Sequence, residues 1–116
     1  MTVRRLKTYT GETGYVYQYY FVGNRTALNE PATEYVFDVT SDRKVTFSVS
    51  IFLYRSAVAE WELRHARKLA EAEQYASVKM RLFQAFDEVE HLKEHGRRLD
   101  IGPEDMEELL AKVGVD

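Results

Sequence analysis

Residues 34–54, EYVFDVTSDRKVTFSVSIFLY, carry the pattern that decides the fold. Apolar and polar side chains alternate on both sides of a short polar segment, and this period of two is typical of strands with one buried face. The polar segment, residues 41–43, has the composition of a turn. The stretch therefore predicts a β-hairpin whose inward side chains are Tyr35, Phe37, Val39, Val45, Phe47, Val49, Ile51 and Leu53.

The alternation also restricts the register of this hairpin. Val39 and Val45 must point to the same face, so the numbers of paired residues sum to an even number and the loop has an odd length. A loop of three residues satisfies this condition. It places Thr40 opposite Lys44 and sets residue 37 opposite residue 47, which is the register we predict.

A further strand is predicted in residues 14–23, GYVYQYYFVG, where both faces are largely apolar. One face holds Tyr15, Tyr17, Tyr19 and Phe21, and the other holds Val16, Gln18, Tyr20 and Val22. Two apolar faces indicate a strand that is covered on both sides. We expect residues 3–9 to pair with this strand across a turn at residues 11–14, and residues 24–33 to connect it to the hairpin.

The chain becomes helical after Ser56, which we predict as a helix N-cap. Apolar residues follow a helical period in two stripes, one over residues 58–69 and one over residues 75–92. No glycine or proline separates the stripes, so residues 57–95 form either one helix or two. Because the stripes differ in phase, two helices that meet near residues 66–72 are favoured.

The last helix has clear boundary signals. Gly102 precedes Pro103 at the first helical position, two acidic residues follow in the first turn, and Gly114 ends the apolar stripe. Strands in the first half and helices in the second predict an α+β fold. We expect a single domain over residues 1–116, with an antiparallel sheet of three to four strands and two to three helices packed on one face.

Composition excludes several classes of function. The chain has 116 residues, a net charge of −3 and no cysteine, which removes disulfides, thiol catalysis and thiolate metal sites. The charge provides no strong field for nucleic acid. No apolar run approaches the ~20 residues that a membrane span needs, and residues 1–14 lack the apolar stretch of a secretory signal. We therefore predict a cytoplasmic protein with no membrane segment.

Residues 34–53, EYVFDVTSDRKVTFSVSIFL, together with YASVKMRLFQAFDE at residues 75–88, resemble a group of small, uncharacterised bacterial proteins. The resemblance covers roughly residues 10–113. No activity is attached to that group, so the resemblance implies no site.

Patterns for metal and catalytic sites are incomplete. His91 and His95 have the i, i+4 spacing of helical zinc ligands. Because they lie roughly opposite the apolar stripe, we predict that they belong to the solvent-exposed face of the helix. Glu62 with His65, and Glu88 with His91, have the i, i+3 spacing of di-iron bundles, which need four long helices. The chain has no nucleophile elbow and no glycine-rich phosphate loop. We predict no metal, no cofactor and no catalytic residue, and hence a protein that is not an enzyme.

Nucleic-acid binding is a less favoured alternative. Residues 13–20, TGYVYQYY, are similar to the aromatic octamer of RNA-recognition motifs in their glycine and in three aromatic positions. The basic first position, the small fourth position and the aliphatic sixth position of that octamer are missing.

The chain has more apolar surface than one sheet and a few helices can cover, and exposed apolar surface usually marks a partner surface. We predict a non-catalytic interaction module that self-associates as a homodimer. The alternative is a small-ligand-binding domain with a sheet face lined by tyrosines. The residues predicted for the interface or the ligand face are Tyr15, Tyr17, Tyr19, Tyr20, Val22, Met80 and Phe83.

Overall fold

The computed structural model describes residues 6–12 and 14–116. The elements in chain order are β1 (Lys7–Thr10), β2 (Val16–Thr26), β3 (Ala32–Thr40), β4 (Phe47–Tyr54), α1 (Arg55–His65), α2 (Glu71–Glu88), α3 (Leu92–His95), β5 (Arg98–Ile101) and α4 (Pro103–Lys112).

The five strands form one sheet in the order β1-β2-β3-β4-β5. The first four strands pair antiparallel, and β5 pairs parallel with β4. The predicted α+β class is confirmed, with the sheet in the first half and the helices mostly in the second. The described part of the chain has five strands and four helices, both more than predicted, and the sheet is mixed rather than antiparallel. A helical crossover between β4 and β5 makes the parallel pairing possible.

The β3–β4 hairpin has the predicted faces but a different register. Val39 pairs with Phe47, and Phe37 pairs with Val49. The prediction that Phe37 lies opposite Phe47 was therefore wrong by two residues. A shift of two preserves the side-chain alternation, and the inward residues of both strands are buried as expected.

The register differs because the connection contains residues 41–46 rather than three residues. The Asp42 carboxylate accepts hydrogen bonds from the backbone N–H groups of Val45 at 2.9 Å and Lys44 at 2.8 Å. These bonds lower the pKa of Asp42 and stabilise a longer loop. Consequently Lys44 does not pair with Thr40, and Val45 is exposed instead of inward.

Strand β2 extends three residues beyond Gly23, through the segment predicted as a connection. A β-bulge makes this possible: Phe21 pairs with Phe37 and Gly23 pairs with Val36, which leaves Val22 as the extra residue. Gly23 has a φ of +156°, a backbone conformation that side chains disfavour. The connection to β3 therefore contains only residues 27–31.

The expected pairing of β1 with β2 is confirmed for Lys7–Thr10, whereas residues 3–5 lie outside the described residues. The expected break between the first two helices is also confirmed. Helix α1 ends at His65, Ala66 has a left-handed φ of 53°, and α2 begins after residue 70. The prediction of Ser56 as N-cap was wrong, because the N-cap is Tyr54, two residues earlier, and α1 begins at Arg55 directly after β4.

The second predicted helix is shorter than expected. Helix α2 ends at Glu88, and the four-residue α3 follows after His91, whose φ is 55°. Helix α4 begins at Pro103 as predicted, and the Asp105 carboxylate accepts the N–H of Gly102 at 2.9 Å.

Helix α2 lies over the tyrosine-rich strand. Phe86 stacks on Tyr17, with 4.3 Å between ring centroids and 8° between ring planes. Phe83 stacks on Tyr9 at 4.5 Å, and the Tyr9 hydroxyl donates a hydrogen bond to Asp87 at 2.8 Å. The inward face of β2 therefore belongs to the core, whereas the second face, which was predicted to be covered as well, is left open within the described residues, with Val16 and Val22 45% and 41% exposed.

Candidate functional site

The seven predicted interface residues do not form one continuous surface. Tyr17 and Tyr19 are only 2% and 4% exposed, because they lie between the sheet and α2. Met80 and Phe83 are partly buried against the same core cluster. These four side chains are engaged within the chain.

The other three predicted residues are more accessible. Tyr20 and Val22 lie on the opposite face of the sheet, where Val22 is 41% exposed and the Tyr20 hydroxyl donates a hydrogen bond to Asp38 at 2.7 Å. Tyr15, at the start of the tyrosine-rich stretch, is exposed beside the ring of Tyr17.

The face of the sheet that points away from the helices is not covered by any element within residues 6–12 and 14–116. We call it the open face. Strand alternation assigns to it one side chain in two from every strand. Its central members are Val16, Gln18, Tyr20, Val22, Arg25, Glu34, Val36, Asp38, Ser48, Ser50, Phe52, Arg98 and Asp100.

Glu34 is the most buried ionisable residue of the open face, with 8% of its surface exposed. Its two carboxylate oxygens accept hydrogen bonds from the Ser50 hydroxyl at 2.7 Å and from the Arg25 guanidinium at 2.9 Å. These bonds hold the pKa of Glu34 below its ordinary value, the Ser50 bond having the larger effect. Glu34 is therefore a stable anion with its charge compensated inside the chain.

A second ion pair joins the β2–β3 connection to β5. The Arg98 guanidinium donates to both carboxylate oxygens of Glu30, at 2.7 and 2.8 Å, and lies 3.9 Å from the centroid of the Phe52 ring. The hydrogen bond from Arg98 is the main cause of the lowered pKa of Glu30. The Tyr54 hydroxyl also donates to Glu30, at 3.0 Å. The arginines at the two sides of the open face, Arg25 and Arg98, are thus both in ion pairs.

A groove lies on the helix side of the sheet, between the ends of β2 and β3 and the first turns of α2. It encloses about 540 Å³ and is lined by three aromatic rings, Phe21, Tyr35 and Tyr75, and by polar groups that include Glu71. We call it the tyrosine groove.

The histidine patterns do not converge on a metal site. His65 stacks on Trp61 at 4.1 Å and its Nε2 lies 2.5 Å from a carboxylate oxygen of Glu107. His91 and His95 are exposed. Within the described ranges, no group of three or more histidine, aspartate or glutamate side chains could hold a metal ion.

Sequence reasoning did not identify the Glu34 and Glu30 ion pairs or the tyrosine groove. The ion pair of Glu34 with Arg25 could have been found from the sequence, since the two residues are direct cross-strand partners. Finding it requires β2 to continue through the bulge, whereas the sequence pattern predicts a connection over residues 24–33. Tyr35 and Tyr75 each fit a core stripe, and only the fold brings them together.

No protein-family model, curated protein or solved structure matches the chain significantly. The resemblance to small bacterial proteins therefore remains a prediction. None of the helices in the described part of the chain is long and apolar enough to cross a membrane.

Proposed function

We propose that this protein is a non-catalytic, cytosolic interaction module that self-associates through the open face of its sheet. The observation that supports the proposal is the presence of two exposed valines on β2, separated on the same face by Gln18 and Tyr20. Val16 and Val22 are 45% and 41% exposed, in a face that no described element covers. The lack of cysteine is consistent with a reducing compartment.

The size of the open face suits a dimer. Five strands about 4.8 Å apart give a width of about 24 Å, and the eight residues of β4 give a length of about 26 Å. The resulting area of about 600 Å² approaches the ~800 Å² that each partner contributes to a stable interface. Neighbouring loop residues such as Leu28, which is exposed, can supply the remainder.

A second copy is the partner that this face fits best. In a two-fold dimer the same surface meets itself, so unpaired charge of one sign would oppose association. Here Arg25 is paired with Glu34, and Arg98 is paired with Glu30. Two copies can therefore bring their exposed valines together without opposing these paired charges, provided that Asp38, whose carboxylate accepts hydrogen bonds from the hydroxyls of Tyr20 and Ser48, stays at the edge of the contact.

Val22→Lys tests this proposal, with Leu63→Lys as the matched control on α1. Leu63 is 84% exposed and does not belong to the sheet. We expect the unmodified protein to dimerise at tens of micromolar in sedimentation equilibrium. We also expect Val22→Lys to raise the dissociation constant at least about tenfold, which corresponds to ~1.4 kcal/mol, and Leu63→Lys to leave it unchanged. A monomeric unmodified protein at that concentration would refute the proposal.

The two alternatives from the sequence remain distinguishable by experiment. Tyr17 and Tyr19 are buried against α2, so they offer no free ring face on which a base could stack. Oligonucleotide binding that weakens steeply with salt would nevertheless favour nucleic acid over self-association. Ligand binding has its own structural support in the tyrosine groove.

A further inference from the structure

The tyrosine groove is formed by three aromatic rings that meet at an angle. The Phe21 and Tyr75 centroids are 5.0 Å apart at 63°, Phe21 and Tyr35 are 6.2 Å apart, and Tyr35 and Tyr75 are 6.4 Å apart. A volume of about 540 Å³ is within the range of small-molecule sites. At these separations the rings contact one another, so together they form one aromatic wall of the groove.

Tyr35 has a polar group in this groove that no described residue uses. Its side chain is only 6% exposed, yet its hydroxyl forms no hydrogen bond with the described part of the chain. The hydroxyls of Tyr35 and Tyr75 are protonated donors at neutral pH, as tyrosines ordinarily are, and burial raises the pKa of both further. This hydroxyl is not enclosed, because among the described residues the only buried side-chain polar atom without a partner is Nε1 of Trp61; the Tyr35 hydroxyl is therefore accessible from the groove and available to a ligand.

The charge of the groove indicates which sign of charge a ligand should carry. Among the described residues that line it, Glu71 is the only one with a full charge, and its carboxylate has no ion-pair partner within the described ranges. Glu71 and Glu73 also offset the positive end of the α2 dipole. Lys79 lies one turn after Tyr75 on α2. Its ammonium group is 5.6 Å from the centroid of the Phe83 ring, and Lys79 does not line the groove.

We propose that the tyrosine groove binds a small organic cation with an ammonium group. The cation sits against the aromatic wall to which Phe21 and Tyr75 contribute, where the ring quadrupoles attract an ammonium group. Glu71 supplies the counter-charge, and the Tyr35 hydroxyl hydrogen-bonds a polar group elsewhere on the ligand. The groove and the open face are on opposite sides of the sheet, so the inference does not depend on self-association.

Choline and its uncharged isostere 3,3-dimethyl-1-butanol separate charge recognition from simple apolar binding. Both are titrated into the full chain and followed by the NMR shifts of the tyrosine ring protons. We expect choline to bind saturably with a millimolar or lower dissociation constant, and the isostere to bind at least about tenfold more weakly, because cation–π attraction requires the charge. Equal binding of the two compounds, or no saturable binding of choline, would overturn the proposal.

Variants of groove residues test whether choline binds within the groove. Glu71→Gln removes the counter-charge from an exposed position, and Glu88→Gln at the far end of α2 is the matched control. We expect Glu71→Gln to weaken choline binding about three- to tenfold, while Glu88→Gln has no effect. Tyr75→Phe preserves the ring and should retain choline binding, whereas Tyr75→Leu should weaken it by about tenfold. Equal affinities in all four variants would place choline elsewhere and contradict the inference.

Discussion

The stack of Phe86 on Tyr17 is expected to contribute a large share of the free energy of unfolding. Phe86 is fully buried, and its ring centroid lies 4.3 Å from that of Tyr17. Replacing a buried phenylalanine with alanine costs about 3–5 kcal/mol. A chain of 116 residues has a total stability of roughly 6–17 kcal/mol. Phe86→Ala should therefore lower the melting temperature by about 12–20 °C, at about 4 °C per kcal/mol.

Urea unfolding followed by circular dichroism measures this loss. Leu63→Ala is the control, since its 84% exposed side chain should contribute less than about 0.5 kcal/mol. A double-mutant cycle of Tyr17→Leu and Phe86→Leu then isolates the contact between sheet and helix, with an expected coupling of about 0.5–1.5 kcal/mol. If the two substitutions are additive, or if Phe86→Ala and Leu63→Ala are equally mild, α2 does not pack on β2 as described.

Three further outcomes follow from the electrostatics. Burial, and then a hydrogen bond to a carboxylate, raise the pKa of Tyr9 from 10.0 to about 12, so its stabilising effect should be lost as pH rises from 10 to about 12. Tyr9→Phe should lack that part of the pH dependence in thermal unfolding, and an unchanged alkaline slope would contradict the assignment. The hydrogen bond from Arg67 lowers the pKa of Glu73 from 4.5 to about 2, so Glu73 should stabilise the fold above pH 4.5 and progressively less as pH falls to about 2. Glu73→Gln should flatten acid unfolding in that window, which a pH series of melting temperatures checks. Finally, Arg25→Ala leaves the buried Glu34 carboxylate without its cation and should cost about 1–3 kcal/mol, whereas Glu34→Gln should cost less than about 1 kcal/mol. Urea unfolding that ranks these two variants in the opposite order would show that the pair is not held as described.

Side-chain alternation predicted much of the sheet because burial depends on it directly. Phe37, Val39, Val49, Ile51 and Leu53 are inward as expected, since a register shift of two residues does not change which face they occupy. The register itself depends on the loop. The pairing of Val39 with Phe47 corresponds to a loop of five residues between positions 40 and 46, where the pattern suggested three between positions 40 and 44, and alternation cannot detect an even change in loop length.

Features that depend on the backbone or on distant contacts were harder to predict. Ala66 ends α1 in a left-handed conformation without glycine or proline nearby, so only the phase of the apolar stripes indicated a break. The bulge at Val22 reverses the faces of β2 beyond it and places Arg25 opposite Glu34. The tyrosine groove requires β2, β3 and α2 to assemble, and no local pattern around Tyr35 or Tyr75 specifies that neighbourhood.

The parallel position of β5 has a consequence for the order in which the chain folds. Ser50 pairs with Arg98, about 48 positions away, whereas the β3–β4 hairpin closes over only six residues. Closing the longer segment costs roughly 2 kcal/mol more in chain entropy, so the four-stranded meander should form first and β5 should dock last. Until then the outer edge of β4 is an unpaired strand edge, which readily accepts a strand from another molecule. Refolding at high concentration should therefore favour exchange, in which β5 and α4 of one copy complete the sheet of a second.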